Sequence, residues 1–166
     1  MTGNKLFDCQ EMFRHACTFC ECADLAEQKS QHDTADLGSY SYPAAVNSAF
    51  ACEVFMKAIL LYKDIKVPKT HKLRELYDAL PEDLREWIKQ VVSCGDRRMW
   101  SNILTGEYID QISNAFVDWR YYYEILGKKR GSMHLNVGFL ANFRNALRDA
   151  CCQLIFKMTW EEYKER

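Results

Sequence analysis

Seven glycines and three prolines in 166 residues leave this chain few places to reverse sharply. Folds built from β-hairpins need a Gly-, Asn- or Pro-bearing turn at short intervals. The scarcity therefore favours helices, and the apolar spacing agrees. Leu6, Met12, Phe13, Ala16, Cys17, Cys20 and Ala23 recur at threes and fours, as one face of an amphipathic helix over 6–29 requires. The run 30–43 (SQHDTADLGSYSYP) is polar and turn-rich and reads as a loop, with Pro43 suited to the first turn of the next helix.

That next helix, AAVNSAFACEVFMKAILLYKD, is the most apolar stretch of the chain and reads as its centre. Pro68 interrupts the connector IKVPK, and Thr70 is the expected N-cap of a short helix over 71–80. Pro81 opens another over 81–93, with acidic residues in its first turn where the helix dipole favours them. A short helical piece over 97–104 precedes Thr105-Gly106, which read as punctuation. A longer helix over 108–126 then places Ile109, Ile112, Phe116, Trp119 and Tyr123 on one stripe. After a basic loop at 127–131, the last helix spans 136–163.

The expected fold is all-α. It is a single domain over 1–166, an antiparallel bundle of four longer helices with one or two short ones inserted between the second and third. The length can bury a core, and 48% apolar with 27% charged residues is a globular rather than a disordered composition.

A net charge of −1 gives no global field for nucleic acid. The distribution is uneven, with 9 Lys/Arg against 5 Asp/Glu from Arg120 onward and a basic cluster at Lys128, Lys129 and Arg130. The N-terminus has no apolar leader region, and no run approaches the roughly 18 uninterrupted apolar residues of a membrane span. The expectation is a soluble, cytoplasmic protein without membrane association, whose eight cysteines are reduced thiols. Cys17, Cys20 and Cys22 lack a second Cys or His pair at zinc-site spacing, so they read as packing residues and no metal or cofactor is expected.

Charges on apolar helices are the unusual feature. Glu53 and Lys57 lie four apart, between Val46, Phe50 and Leu60 in projection. Arg120 and Glu124 lie four apart in the aromatic run Trp-Arg-Tyr-Tyr-Tyr-Glu. Charge embedded this way must be paired or must line a polar cleft. The simplest packing sets Glu53 opposite Arg120.

The run Asn47-Ser48-Ala49-Phe50-Ala51-Cys52-Glu53-Val54-Phe55-Met56-Lys57-Ala58 and the later Thr70-His71-Lys72-Leu73 are similar to HEPN domains. In that family an A-x-E-x-x-x-K-A helix precedes a T-H-x-L helix start. Phe116 to Tyr121 also resembles the family's later Arg-Tyr helix. The resemblance spans 44–124 and implies a helical bundle that often dimerises. The family includes metal-independent RNases, partners of nucleotidyltransferases, and modules that bind nucleotides or RNA. Its RNases resemble one another in an Arg followed, after four to six residues, by a His. That spacing is missing from this chain, and Arg130-Gly-Ser-Met-His134 falls one residue short.

The resulting expectation is a HEPN-like, homodimeric binding module without hydrolytic activity. Asn47, Glu53, Lys57, Arg120 and Glu124 would recognise a nucleotide, RNA or a protein partner such as a nucleotidyltransferase. The competing reading is a metal-independent RNase of toxin–antitoxin or defence type, with a rearranged site drawn from Arg120, His71, Arg130 and His134. His71 could otherwise simply orient the connector beside the helix start. Tyr121, Tyr122 and Tyr123 cannot all face one core, so at least one is displayed, for a dimer contact or for base stacking.

Overall fold

The computed structural model describes residues 3–32, 40–94, 102–121 and 136–166. The described residues form eight helices and no strand: α1 (Gly3–His32), α2 (Ser41–Tyr62), α3 (Leu73–Asp78), α4 (Glu82–Cys94), α5 (Asn102–Ile112), α6 (Ala115–Arg120), α7 (Val137–Phe156) and α8 (Trp160–Lys164).

The all-α bundle is organised around α2, which packs against α1, α6 and α7. Small buried residues (Ala45, Ala49, Ala51, Cys52, Ala58) let neighbouring backbones approach, and Phe55, Met56, Ile59 and Leu60 fill the interior between them. Each of these large side chains contributes about 1.5–3 kcal/mol by leaving water. By length and composition α2 could cross a membrane, but 67% of its apolar window is buried inside the protein. Phe13 on α1 meets Phe156 and Tyr163 at 5.0 and 5.1 Å between ring centres, tying the first helix to the C-terminal end.

Helix α2 ends in a hydrogen-bonded stop. The Ile65 N–H donates to the Leu60 carbonyl (2.9 Å) and the Asp64 N–H to that of Leu61 (3.2 Å). This is the Schellman arrangement, with Asp64 rather than glycine in the left-handed region at φ 61°. An ion pair with Lys5 of α1 holds the Asp64 side chain.

The long helices expected near the C-terminal half are broken. Helix α5 runs straight through Thr105-Gly106, stops at Ile112, and is followed by α6 after Ser113-Asn114. The expected helix over 136–163 divides at Lys157, which adopts φ 61°. A left-handed non-glycine residue costs roughly 1–2 kcal/mol. Lys157 donates a hydrogen bond to the Tyr62 hydroxyl at 3.0 Å and lies over its ring, which offsets that cost. Thr159 then starts α8 with a capping box: its hydroxyl accepts from the Glu162 N–H, while the Glu162 carboxylate accepts from the Thr159 N–H at 2.7 Å.

Thr70 is not the N-cap expected of it. It accepts a hydrogen bond from the Lys72 N–H at 3.1 Å in a tight turn before the helix. The first N–H groups of α3 go instead to Ser113, far along the chain. Leu73 N–H donates to the Ser113 carbonyl (3.0 Å) and Arg74 N–H to its hydroxyl (3.1 Å). Arg74 reinforces this junction by donating from Nη1 to Asp110 of α5, 3.1 Å from each carboxylate oxygen.

Candidate functional site

Helix α2, the connector before α3, and α6 converge on one face. Glu53 projects from the middle of α2 with its side chain only 3% exposed. An isolated carboxylate there would be costly to bury, so its partners are the informative observation. One is Lys57, a turn later on the same helix, whose Nζ donates to Oε1 at 2.7 Å. The other is His71, whose Nδ1 lies 3.0 and 3.1 Å from the two carboxylate oxygens. A carboxylate only accepts, so Nδ1 carries the proton of this contact and Nε2 is the nitrogen left for solvent or a ligand. His71 is 60% exposed. The pair is therefore a buried carboxylate holding an accessible imidazole.

Aromatic rings fix the other side. Phe116 of α6 stacks on Phe50 of α2 (5.0 Å, 27° between planes), and Phe50 meets Phe19 of α1 edge-on at 4.6 Å. The His71 ring lies 5.6 Å from that of Phe116. The Arg120 guanidinium lies 5.0 Å from the same Phe116 centre and 4.5 Å from that of Tyr121. The His71 imidazole and the Arg120 guanidinium thus flank one phenyl ring. Ser113 holds the two segments in register, because it caps the helix after His71 and lies two residues before α6.

The Glu53–Lys57 pair forms as expected. The expected opposition of Glu53 and Arg120 does not: Lys57 and His71 occupy the Glu53 carboxylate, whereas Arg120 is exposed and spread over aromatic faces. Asn47 is half-buried on α2, and no hydrogen bond links it to this cluster. Glu124, Tyr122, Tyr123, the basic cluster 128–130, Arg130 and His134 lie outside the described residues.

A second polar centre had no counterpart in the sequence reading. Arg144 of α7 is buried, with its side chain 4% exposed. It donates from Nη1 to the Ser48 hydroxyl (3.0 Å) and from Nη2 to Asp24 of α1 (2.6 Å), joining three helices. Its Nε is buried without a partner. In sequence Arg144 sits inside the apolar stripe Phe139–Phe143–Ala146, and that position is the signal which could have found it. Thiols on α1 and α7 are silenced by desolvation. Burial pushes Cys20 to about 11, Cys17 to about 12 and Cys152 to about 11. Among the described residues, no group of three or more His, Cys, Asp or Glu side chains could hold a metal ion.

The described residues thus form an all-α bundle with a carboxylate-held histidine and an aromatic-stacked arginine on one face. Residues 22–129 match the family model for the HEPN domain. The match covers well over half the chain, and the protein belongs to the HEPN domain family. No curated protein and no solved structure matches it.

Proposed function

We propose that this chain is a HEPN binding module that recognises a phosphate-bearing ligand, a nucleotide or RNA, through His71 and Arg120 without hydrolysing it. The observation that carries the reading is the exposed imidazole fixed by the buried Glu53, next to a guanidinium on the same Phe116 ring. A planar guanidinium suits phosphate oxygens, and the surrounding rings suit a base. Lys57 keeps Glu53 paired, so the buried negative charge does not oppose an anion directly.

Fluorescence anisotropy with a labelled single-stranded RNA, and competition by ATP, tests this. Binding that falls about tenfold or more in both Arg120→Ala and His71→Ala, with unchanged helicity, supports it. Unchanged binding in both variants would reject it.

One feature favours a second reading, metal-independent RNA cleavage. A carboxylate behind Nδ1 is the arrangement that orients an imidazole as a general base acting through Nε2. Incubating RNA with the purified protein in chelator decides this. Cleavage abolished by His71→Ala would support it, and intact RNA would dismiss it.

A further inference from the structure

The connector between α2 and α3, residues 63–72, carries positive charge that the proposed function does not use. Residues 53–75 hold six Lys or Arg against three acids, in a chain whose net charge is −1. All three acids have partners: Glu53 has Lys57 and His71, Asp64 has Lys5, and Glu75 has Lys72 at 3.1 Å. Arg74 is taken by Asp78 and Asp110. Lys63, Lys66 and Lys69 are left exposed, with no ion-pair partner among the described residues. Surface pairs can exchange partners, but the local excess of three cations remains.

The connector holds these charges outward. Ile65 and Val67 pack against the core, whereas Lys66 and Lys69 are exposed. Both ends are pinned, the Ile65 N–H on the Leu60 carbonyl at 2.9 Å and the Leu73 N–H on the Ser113 carbonyl at 3.0 Å. Pro68 stiffens the middle by fixing its own φ. Lys66 and Lys69 are three residues apart, a backbone span of at most about 11 Å, close to the screening length of about 8 Å at physiological salt. Their repulsion favours an anion between them. A depression of about 680 Å³ lies there, lined by Lys66, Val67, Pro68 and Lys69. Apolar surface between ammonium groups suits a nucleotide, with base or ribose over Pro68 and phosphates on the lysines. His71 follows two residues after Lys69, so the strap leads to the imidazole. One nucleotide held at His71 and Arg120 would leave the strap empty, whereas a strand would cover both.

We infer, resting on the reading of His71 and Arg120 as phosphate contacts, that the ligand is an oligonucleotide strand rather than a free nucleotide, its neighbouring phosphates running along Lys69, Lys66 and Lys63. The probes are a fluorescein-labelled single-stranded RNA of about eight nucleotides, within the usual site size, and a fluorescent ATP analogue. The triple variant Lys63→Gln, Lys66→Gln, Lys69→Gln should weaken the RNA about tenfold or more while moving the ATP analogue less than about twofold. Its slope of log affinity against log salt for RNA should become shallower by about 2, since each single-strand phosphate contact contributes about 0.7. Arg14→Gln with Lys89→Gln, on α1 and α4, should change neither quantity. RNA that does not bind, an unmoved triple variant, equal losses for RNA and the ATP analogue, or the same loss in the control variant would each overturn the inference. So would an oligoglutamate of equal charge that displaces the RNA as well as unlabelled RNA does, because the strap would then serve an acidic peptide. RNA binding lost in Arg120→Ala and His71→Ala but untouched in the triple variant overturns the strand alone. RNA binding that needs the lysines but neither His71 nor Arg120 overturns the reading of the site, and the shared track with it.

Discussion

The Glu53 carboxylate holds the His71 imidazole from the buried side, with both oxygens within 3.1 Å of Nδ1. Eighteen residues separate the two, so the connector after α2 is folded back onto the helix it leaves. Replacing Glu53 removes the acceptor for both Lys57 and His71. Breaking a buried pair costs about 3–5 kcal/mol when the orphaned charge stays buried. Here His71 is exposed and can be solvated, and Lys57 keeps 21% of its side chain exposed, so Glu53→Ala should cost about 1–3 kcal/mol, below the value for a fully buried pair. Urea denaturation measures this. Glu53→Gln, which keeps one acceptor oxygen, should lose less.

Ser113 should behave as a positioning residue. Its hydroxyl and carbonyl take the first two N–H groups of α3, so Ser113→Ala loses one cap bond and should cost about 1 kcal/mol, the usual value for an N-cap. Because α6 begins two residues later, the same change should also weaken ligand binding at His71 and Arg120. Ser113→Thr, which restores the acceptor, should recover both. A stability loss with unaltered affinity would show that the cap does not position the site.

Arg144 offers a comparison within one position. Arg144→Ala leaves a cavity and an unpaired Ser48, and should cost about 2–4 kcal/mol, discounted because Asp24 is half-exposed and stays hydrated. Arg144→Met fills the volume and removes the unpartnered Nε, so it should cost clearly less. Thermal denaturation of the two variants, side by side, tests whether the guanidinium is stabilising or merely tolerated.

The cysteines should react in an order set by burial. Desolvation raises Cys17 to about 12 and Cys20 to about 11. Thiolate is the reactive form, and a raised value keeps the thiol protonated until the pH approaches it. At pH 8 iodoacetamide should therefore modify exposed Cys22 well before Cys17, Cys20, Cys52, Cys151 or Cys152. Denaturant should abolish the difference. Peptide mass mapping after timed quenching reads it directly.

Helix identity was legible in the sequence because threes-and-fours spacing reports burial in α1 and α4, while α2 stands out as an apolar run buried nearly all round. Where helices stop was less legible. Lys157 and Asp64 adopt left-handed backbone without being glycine, and tertiary contacts to Tyr62 and Lys5 hold their side chains. The Thr159-x-x-Glu162 capping box is a local signal for the start of α8 and could have been read. The Ser113 cap could not, since it joins segments about forty residues apart. The Glu53–Lys57 pair was legible as a helical repeat, whereas the partner of Glu53 across the fold turned out to be His71 rather than Arg120. A linear pattern gives the face of a residue but not which of two side chains across the fold will reach it.

If His71 and Arg120 together contact a phosphate-bearing ligand, the contact is readable at the imidazole itself. Side-chain NMR of the histidine imidazoles, followed during titration with a short single-stranded RNA or ATP, addresses it at the atom concerned. The His71 resonances should shift and saturate with the ligand while those of exposed His15 on α1 stay in place, and Arg120→Ala should abolish the His71 response. Ligand binding that leaves the His71 resonances unmoved would contradict it.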